Sequence, residues 1–251
     1  MKEKYTDFNA LTIDKWVEEG WEWGIPITHD QFEKAKQGMW DVLLTPTKPM
    51  PKNWFPNSLK NLKILGLASG GGQQMPIFAA LGAKCTVLDY SKKQIESEIM
   101  VAKKEGYKIE TILYDMTNPL PFSDNEFDII FHPVSNCYIE KVEPLFKECF
   151  RVLKTKGILV CGLDNGINYL TDDEITIKNR LPFNPLLDKA QMEELRKGND
   201  GIQFSHTMEE QIGGQLKAGF MLVDLYEDIN GEGRLHDLNI PCFIATKAIK
   251  V

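Results

Sequence analysis

Long hydrophobic runs, signal sequences and cysteine pairs are all missing from this chain. No apolar stretch approaches the roughly 20 residues needed to span a bilayer, and the opening MKEKYTDFNA has no apolar core typical of a signal peptide. The five cysteines, at positions 85, 137, 149, 161 and 242, are scattered and form no CxxC pair. We therefore expect a cytoplasmic protein with reduced thiols, no membrane partner and no metal site.

An excess of positive charge is also absent. Lys and Arg number 29 against 36 Asp and Glu, which gives a net charge of −7 over 251 residues. We therefore do not expect sequence-independent binding to the phosphates of nucleic acids. Hydrophobic residues make up 43% and charged residues 26% of the chain, as in ordinary globular domains. The length suits one large α/β domain with a cap, as a monomer or a homodimer.

The first 57 residues are rich in tryptophan and proline. Helices are predicted from Thr12 or Asp14 onward and over 29–44, followed by the proline-dense connector TPTKPMPKNWFP. Too little apolar sequence is present for a separate core, so residues 1–57 are expected to form a helical lid and Pro-rich connector on a domain spanning 58–251. The tryptophans either line a substrate pocket or form the core between lid and domain.

From residue 62 onward, strand-like and helix-like patterns alternate. Strands are predicted at 62–67, 84–89, 109–114, 127–132 and 157–163, with helices at about 73–81, 91–105 and 140–154. This spacing favours right-handed βαβ units in a parallel sheet. Residues 164–204 break the rhythm and are expected to form an insertion or cap with some helix at 188–197. A helix at about 207–218, ended by Gly219, and strands at 220–225 and 242–249 follow.

Small residues after the first strand and an acid after the second indicate a nucleoside site. The loop 68–72 lets a ligand approach the backbone and the N–H groups at a helix start, while Asp89 can accept hydrogen bonds from a ribose diol. A tight strand-to-helix turn, or a carboxylate capping a helix beside Ser91, would leave the same pattern.

Two further sets of polar residues follow strands. Asp115 can accept from an exocyclic amine, with Met116 against a base, although a simple turn acid before Asn118 fits equally well. His132 ends the fourth strand, at the edge that faces the ligand crevice in such sheets. It is therefore a candidate general base or substrate-orienting group, or else a structural histidine.

The combination of these residues with LPFSDNEFDIIF and FRVLKTKGIL resembles class I S-adenosylmethionine (SAM)-dependent methyltransferases of the type 11 group. The resemblance covers roughly residues 60–165, and LASGGGQQ with HPVSN is similar to bacterial members of unassigned substrate. It implies a doubly wound, mostly parallel seven-stranded sheet with an antiparallel last strand. It also implies SAM as cofactor and methylation as the activity, with a small-molecule substrate expected beneath the lid.

The family motif of a hydrophobic residue, an acid, a hydrophobic residue and Gly-x-Gly-x-Gly falls on residues 65–72. Gly66 stands where the family has its acid and Ala68 where it has its first glycine, so another group must hold the amino end of the cofactor. The cofactor contacts that the resemblance implies are Ala68, Ser69, Gly70, Gly72, Gln73, Asp89, Tyr90, Asp115, Met116 and His132.

Two other functions remain open from the residues alone. An NAD-dependent oxidoreductase shares the glycine loop and the ribose acid, although the loop is not a clean GxGxxG. A non-catalytic SAM-binding protein is suggested by the missing acid at Gly66. Methyl transfer itself mainly requires alignment of nucleophile, methyl carbon and sulfur in a dry site, with a base only for a nucleophile that must lose a proton.

Overall fold

A seven-stranded sheet forms the centre of the molecule. The computed structural model describes residues 4–198 and 200–251. The strands are β1 (Lys63–Leu67), β2 (Lys84–Asp89), β3 (Ile109–Leu113), β4 (Phe127–His132), β5 (Leu153–Asp164), β6 (Phe220–Asp228) and β7 (Phe243–Lys250). Their order is β3-β2-β1-β4-β5-β7-β6, parallel from β3 to β5, with β7 antiparallel to both neighbours. The predicted sheet is confirmed.

Helices cover the sheet. In the described residues they are α1 (Tyr5–Glu18), α2 (His29–Lys36), α3 (Gln74–Ala80), α4 (Lys92–Glu105), α5 (Glu143–Val152), α6 (Lys189–Gly198), α7 (Met208–Ala218) and α8 (Arg234–Asp237). The predicted positions of α3 to α7 are confirmed to within a few residues, and Gly219 ends α7 in a left-handed conformation. Helix α8 lies in the connection between β6 and β7, for which the sequence predicted no helix.

The core has two halves, one on each face of the sheet. Successive side chains of β1 point into opposite halves of the core. Leu65 and Leu67 pack toward α5 and α7, and Ile64 packs toward α2, α3 and α4. All three are fully buried. Because both faces are covered, the central strands are nearly continuous apolar runs, which is why the sequence pattern identified them so well.

The N-terminal helix begins earlier than the sequence predicted. Helix α1 starts at Tyr5, which places both predicted capping residues, Thr12 and Asp14, inside it. The Asp14 carboxylate instead accepts hydrogen bonds from Ser91 Oγ (2.6 Å) and the Lys93 N–H (2.9 Å). A polar residue with the features of a cap therefore stabilises the start of a different helix, α4, to which α1 packs.

The second helix is shorter than predicted and gives way to extended chain. Helix α2 ends at Lys36, and Gly38 then takes a left-handed conformation (φ +83°) that reverses the chain. The chain afterwards crosses the end of β5 at Gly162, where any Cβ would overlap the carbonyl oxygen of Leu44. The same carbonyl accepts from the Val134 N–H (3.2 Å), so the chain just before the connector lies on the carboxyl ends of β4 and β5.

Strand order places a crevice at one edge of the sheet. The chain passes outward from β1 to β2 and β3, then returns to build β4 and β5 on the other side of β1. Ligands of open α/β sheets bind outside the carboxyl ends of the strands at such a switch point. Among the helices of the described residues, none is long and apolar enough to cross a membrane.

Candidate functional site

A cavity of about 400 Å³ lies at the carboxyl ends of the first five strands. Its volume falls in the range of roughly 300–1,000 Å³ that is usual for small-molecule sites. Each of these strands contributes at least one lining residue at or just beyond its end, namely Ala68, Asp89, Asp115, Pro133 and Asp164. The sheet topology therefore brings together residues that are far apart in sequence.

The outer walls of the cavity come from the N-terminal segment (residues 4–57) and from the insertion (residues 164–204). Trp21 and Trp23 line the cavity from one side, and Tyr169 and Gln203 from the other. Trp54, by contrast, is 1% exposed in the core and donates from Nε1 to Asp224 Oδ2 (2.8 Å). The tryptophans thus differ in position: Trp21 and Trp23 line the cavity, whereas Trp54 belongs to the core.

Close approach between the glycine loop and Asp89 shapes one wall. The Gly70 N–H donates to Asp89 Oδ2 (3.0 Å), and a Cβ on Gly70 would lie 2.9 Å from that oxygen. Only glycine allows this contact. Ala68 has a positive φ of 48°, the left-handed conformation that glycine adopts most easily. Its backbone thus keeps a shape suited to glycine at the place where the family motif has one.

Asp89 combines a structural and a ligand-facing position. Its Oδ1 accepts from the Ser91 N–H (2.9 Å), and its side chain lines the cavity while being 9% exposed. Burial raises the pKa of Asp89 to about 6, and the backbone hydrogen bonds act in the opposite direction. The carboxylate thus accepts from the backbone of Gly70, Tyr90 and Ser91 and still faces the cavity.

Gly72 does not line the cavity, which corrects its predicted contact with the cofactor. Its N–H points away and donates to Glu98 Oε1 (2.8 Å) on α4. Glu98 is completely buried, and burial raises its pKa to about 8. The glycine loop is therefore held from behind by an acid that the sequence analysis missed, because a glutamate in mid-helix carries no signal of such a role.

The space of the missing acid is filled by a methionine. A Cβ on Gly66 would lie 2.9 Å from both Cγ and Sδ of Met75, which is fully buried. The family acid therefore has no room here unless Met75 moves. The Met75 side chain occupies the space that a side chain at position 66 would need, so no gap is left.

Polar groups for the same end of the cavity come from the loop and the start of α3. Ser69 Oγ donates to Gln74 Oε1 (3.0 Å), and both buried side chains line the cavity. Gln73 also lines it, but its Nε2 donates to the carbonyl oxygens of Glu22 (2.8 Å) and Ile25 (3.0 Å). The Gln73 side chain thus fastens the N-terminal segment, whereas the Ser69–Gln74 pair is available to a ligand.

Asp115, Met116 and Tyr90 line the cavity beyond Asp89. Asp115 Oδ1 accepts from the Thr117 N–H (2.9 Å) and Oγ1 (2.7 Å). Its carboxylate therefore stabilises the turn after β3 and also lines the cavity. Tyr90 Oη donates to Asp7 Oδ1 (2.6 Å), and this bond, more than burial, raises the pKa of Tyr90 to about 12. Its ring is thus fixed from α1.

His132 lies outside the cavity, which corrects its predicted role. The ring is fully buried, with Nδ1 2.8 Å from the Leu67 carbonyl oxygen and Nε2 2.7 Å from Asn136 Oδ1. Burial lowers the pKa of His132 more than these contacts raise it. With both nitrogens engaged beneath the cavity floor, His132 joins β4 to β1 and does not reach a substrate.

Asp164, in contrast, lines the cavity and was missed. It ends β5 and is 4% exposed. The rule that identified Asp89, an acid at a strand's carboxyl end, applies to Asp164 as well. The predicted strand stopped at 163, so the acid was counted with the insertion.

Comparisons with known proteins agree with this geometry. The family model described as a methyltransferase domain matches residues 65–161. A Bacillus subtilis protein named "Uncharacterized methyltransferase YbaJ" is 41% identical over 251 residues, which covers 97% of each chain. The chain belongs to the class I SAM-dependent methyltransferases. It is therefore an enzyme that uses SAM, and the NAD-dependent alternative is excluded.

More distant relatives share parts of this methyltransferase. A ubiquinone biosynthesis O-methyltransferase of Pelagibacter ubique is 33% identical over 102 residues, 40% of this chain and 41% of its own. A SAM-dependent methyltransferase structure from Mesorhizobium loti superimposes with a TM-score of 0.60 at 19% identity, covering 79% of this chain and 94% of that one. At that identity the structural match shows the fold alone.

Proposed function

We propose that the methyltransferase transfers the methyl group of SAM to a small molecule bound in the same cavity. The observation that carries this proposal is the enclosure of the cavity by two separate parts of the chain. Asn9 Nδ2 on α1 donates to the Ile202 carbonyl (2.8 Å), and the Ile202 N–H donates to Asn9 Oδ1 (2.6 Å). The described parts of residues 1–57 and 164–204 thus act as a lid and a cap, respectively. A polymeric substrate would need an open groove instead.

The proposed cofactor position spans the ends of β1, β2 and β3. Asp89 holds the ribose hydroxyls, Tyr90 and Met116 flank the adenine, and Asp115 accepts from its amine. These roles fit the cavity-lining position of each residue. Ser69, Gln74 and the backbone of the loop at Ala68 and Gly70 face the amino-acid end. Gln73 borders that end while holding the lid.

The charge of the cavity supports a positively charged cofactor. Three carboxylates line it, those of Asp89, Asp115 and Asp164, while no Lys, Arg or His does so among the residues that the structure describes. SAM supplies an electrophilic methyl group on a positively charged sulfur. The protein's own contribution is to align the reactants and to exclude water, since an activated methyl needs little further chemistry.

We also propose that the enzyme works in a reducing compartment such as the cytoplasm. All five cysteines are free and buried. Buried thiols at these positions behave as small apolar core residues.

Binding and turnover measurements test the proposed function. Calorimetric titration with S-adenosylhomocysteine should show micromolar-range binding, whereas NAD should not bind. Labelled SAM, incubated with the enzyme and a fractionated extract of small metabolites, should then pass its label to a low-molecular-weight product. Preference for NAD would contradict the cofactor assignment. Binding without any transfer to small molecules, or transfer only to protein or nucleic acid, would contradict the acceptor class.

A further inference from the structure

Asp164 lies on the side of the cavity that the proposed cofactor leaves free. The glycine loop, Asp89 and Asp115 follow β1, β2 and β3, whereas Asp164 ends β5, beyond β4 on the opposite side of β1. A ligand that spans the first three strand ends therefore points its other end toward β4 and β5. Among the described residues that line this half of the cavity, Asp164 is the one acidic residue.

The Asp164 carboxyl is held in place and retains free acceptor sites. Its Oδ1 accepts from the Gly166 N–H (2.6 Å), and the Asn168 side chain also hydrogen-bonds it. The main-chain carbonyl of Asp164 accepts from Gln211 Nε2 (3.0 Å), which fixes the end of the strand. Two of about four acceptor positions on the carboxylate are thus left for a ligand.

Among the residues that the structure describes, no Lys, Arg or His lines the cavity beside Asp164. Burial raises the pKa of Asp164 to about 7, against the two hydrogen bonds that lower it. The titratable groups that face it are Cys137 after β4, Tyr169 in the insertion and Cys242 before β7. Burial raises the pKa of all three, so they stay neutral. A buried carboxylate without a cation is costly, and a positively charged ligand would remove that cost.

The surroundings of Asp164 are otherwise mainly apolar. Val134, Cys137 and Phe243 line the cavity around it, together with Leu43 and Leu44, which lie just before the connector and above β4 and β5. An acceptor bound here must therefore present an apolar body as well as the group that meets the carboxylate.

We propose that Asp164 binds a protonated amine of the methyl acceptor and removes its proton, so that the substrate is a small, mainly apolar amine. The inference rests on the proposed function, because it places the acceptor beside the bound cofactor. It goes further in naming both the chemical class of the substrate and the residue that selects it.

The step balances with groups that the site contains. The ammonium proton passes to the Asp164 carboxylate, which leaves a lone pair on nitrogen. That lone pair forms the new N–C bond while the C–S bond breaks and its electron pair stays on sulfur, which becomes neutral. A carboxyl group whose pKa is near neutrality is suited to take this proton and to release it to water afterwards.

Other acceptor classes fit this half of the cavity less well. A carboxylate or phosphate would meet three acids and no cation among the described lining residues. An alcohol holds its proton far too strongly for a carboxylate to remove it. The amine both satisfies the charge of Asp164 and yields a competent nucleophile.

Matched ligands test the inference. With the enzyme saturated by S-adenosylhomocysteine, calorimetry should compare 2-phenylethylamine, 2-phenylethanol and phenylacetate, followed by further alkyl and aryl-alkyl amines. We expect the amine to bind at least about tenfold more tightly than the alcohol, as for a hydrogen bond to a charged group. Amine affinity should also rise as the pH increases through about 7, where Asp164 ionises.

Substitution isolates the carboxylate. Asp164→Asn retains an acceptor for the Gly166 N–H but loses the charge, so the preference for amine over alcohol and its pH dependence should disappear. Affinity for S-adenosylhomocysteine should stay within about threefold, which shows that the site is folded and the cofactor function intact. Asp172→Asn, in the same insertion but exposed and outside the cavity, is the matched control. Binding of no amine, equal binding of the alcohol, or an unchanged preference in Asp164→Asn would overturn the inference.

Discussion

At the scale of single residues, Asp89 links the shape of the glycine loop to ligand binding. One carboxylate accepts from the N–H groups of Gly70 and Ser91 and still faces the cavity. The loop conformation and the proposed ribose site therefore depend on the same two oxygens. Removal of the side chain affects both.

Asp89→Ala should weaken binding of S-adenosylhomocysteine by about 1.5–3 kcal/mol, as expected for hydrogen bonds to a charged group. Calorimetry on the variant measures this directly, with Asp41→Ala, an exposed acid away from the cavity, as the control. An analogue without the ribose 2′-hydroxyl separates the two roles. Wild type should bind this analogue less tightly than S-adenosylhomocysteine. Asp89→Ala should bind the analogue and S-adenosylhomocysteine equally well. Unchanged affinity of Asp89→Ala would mean that the ribose lies elsewhere.

Sequence position is enough to place acids at the edge of the sheet, but not to fix the direction of a side chain. The rule of an acid at a strand's carboxyl end placed Asp89 and Asp115 on the cavity. The same rule does not determine where a side chain turns, and the His132 ring is drawn under the floor by the Leu67 carbonyl and Asn136. Glu98 could not be found from sequence, because its partner is a backbone N–H that only the folded loop presents.

At the scale of secondary-structure elements, α1 connects three parts of the molecule. Asp7 accepts from Tyr90 Oη, Asp14 accepts from Ser91 Oγ, and Asn9 exchanges two hydrogen bonds with the backbone of Ile202. The helix thus spans from the β2 end of the cavity to the insertion. Because these contacts join distant segments, the pattern within α1 could not reveal them and suggested a later helix start.

Asn9→Ala should loosen the closure between α1 and the insertion. The variant loses both hydrogen bonds and leaves the buried Ile202 N–H unpaired, which costs about 1–3 kcal/mol. Amide hydrogen exchange in α1 should accelerate even without ligand, and S-adenosylhomocysteine should dissociate about tenfold faster in stopped-flow experiments. Asn57→Ala, at an exposed position of the connector, should change neither rate. If α1 exchanges at the wild-type rate in Asn9→Ala, the closure does not depend on this pair.

At the scale of the whole molecule, the sheet follows from the sequence and the enclosure does not. Strands β1, β2 and β4 are covered on both faces, so their apolar runs were visible without a structure. The close crossing of Leu44 over Gly162 and the contact of α1 with the insertion depend on tertiary packing across long sequence separations. These contacts add walls from α1, the following segment and the insertion to a crevice that is common to many α/β proteins.

Three buried acids, Asp89, Asp115 and Asp164, meet in the cavity at one edge of the sheet. Two of them, Asp89 and Asp115, lie on the proposed cofactor side, and Asp164 lies on the acceptor side. The account therefore divides the cavity between a cofactor side and an acceptor side.

A crystal structure of the enzyme with S-adenosylhomocysteine tests this division of the cavity. We predict that both ribose hydroxyls lie within hydrogen-bonding distance of Asp89 and that the adenine lies between Tyr90 and Met116. The sulfur should face the space bounded by Pro133 and Asp164, with room for an acceptor beside that carboxylate. A cofactor whose adenine occupies the β4 and β5 side, or whose sulfur is separated from Asp164 by protein, would contradict the account.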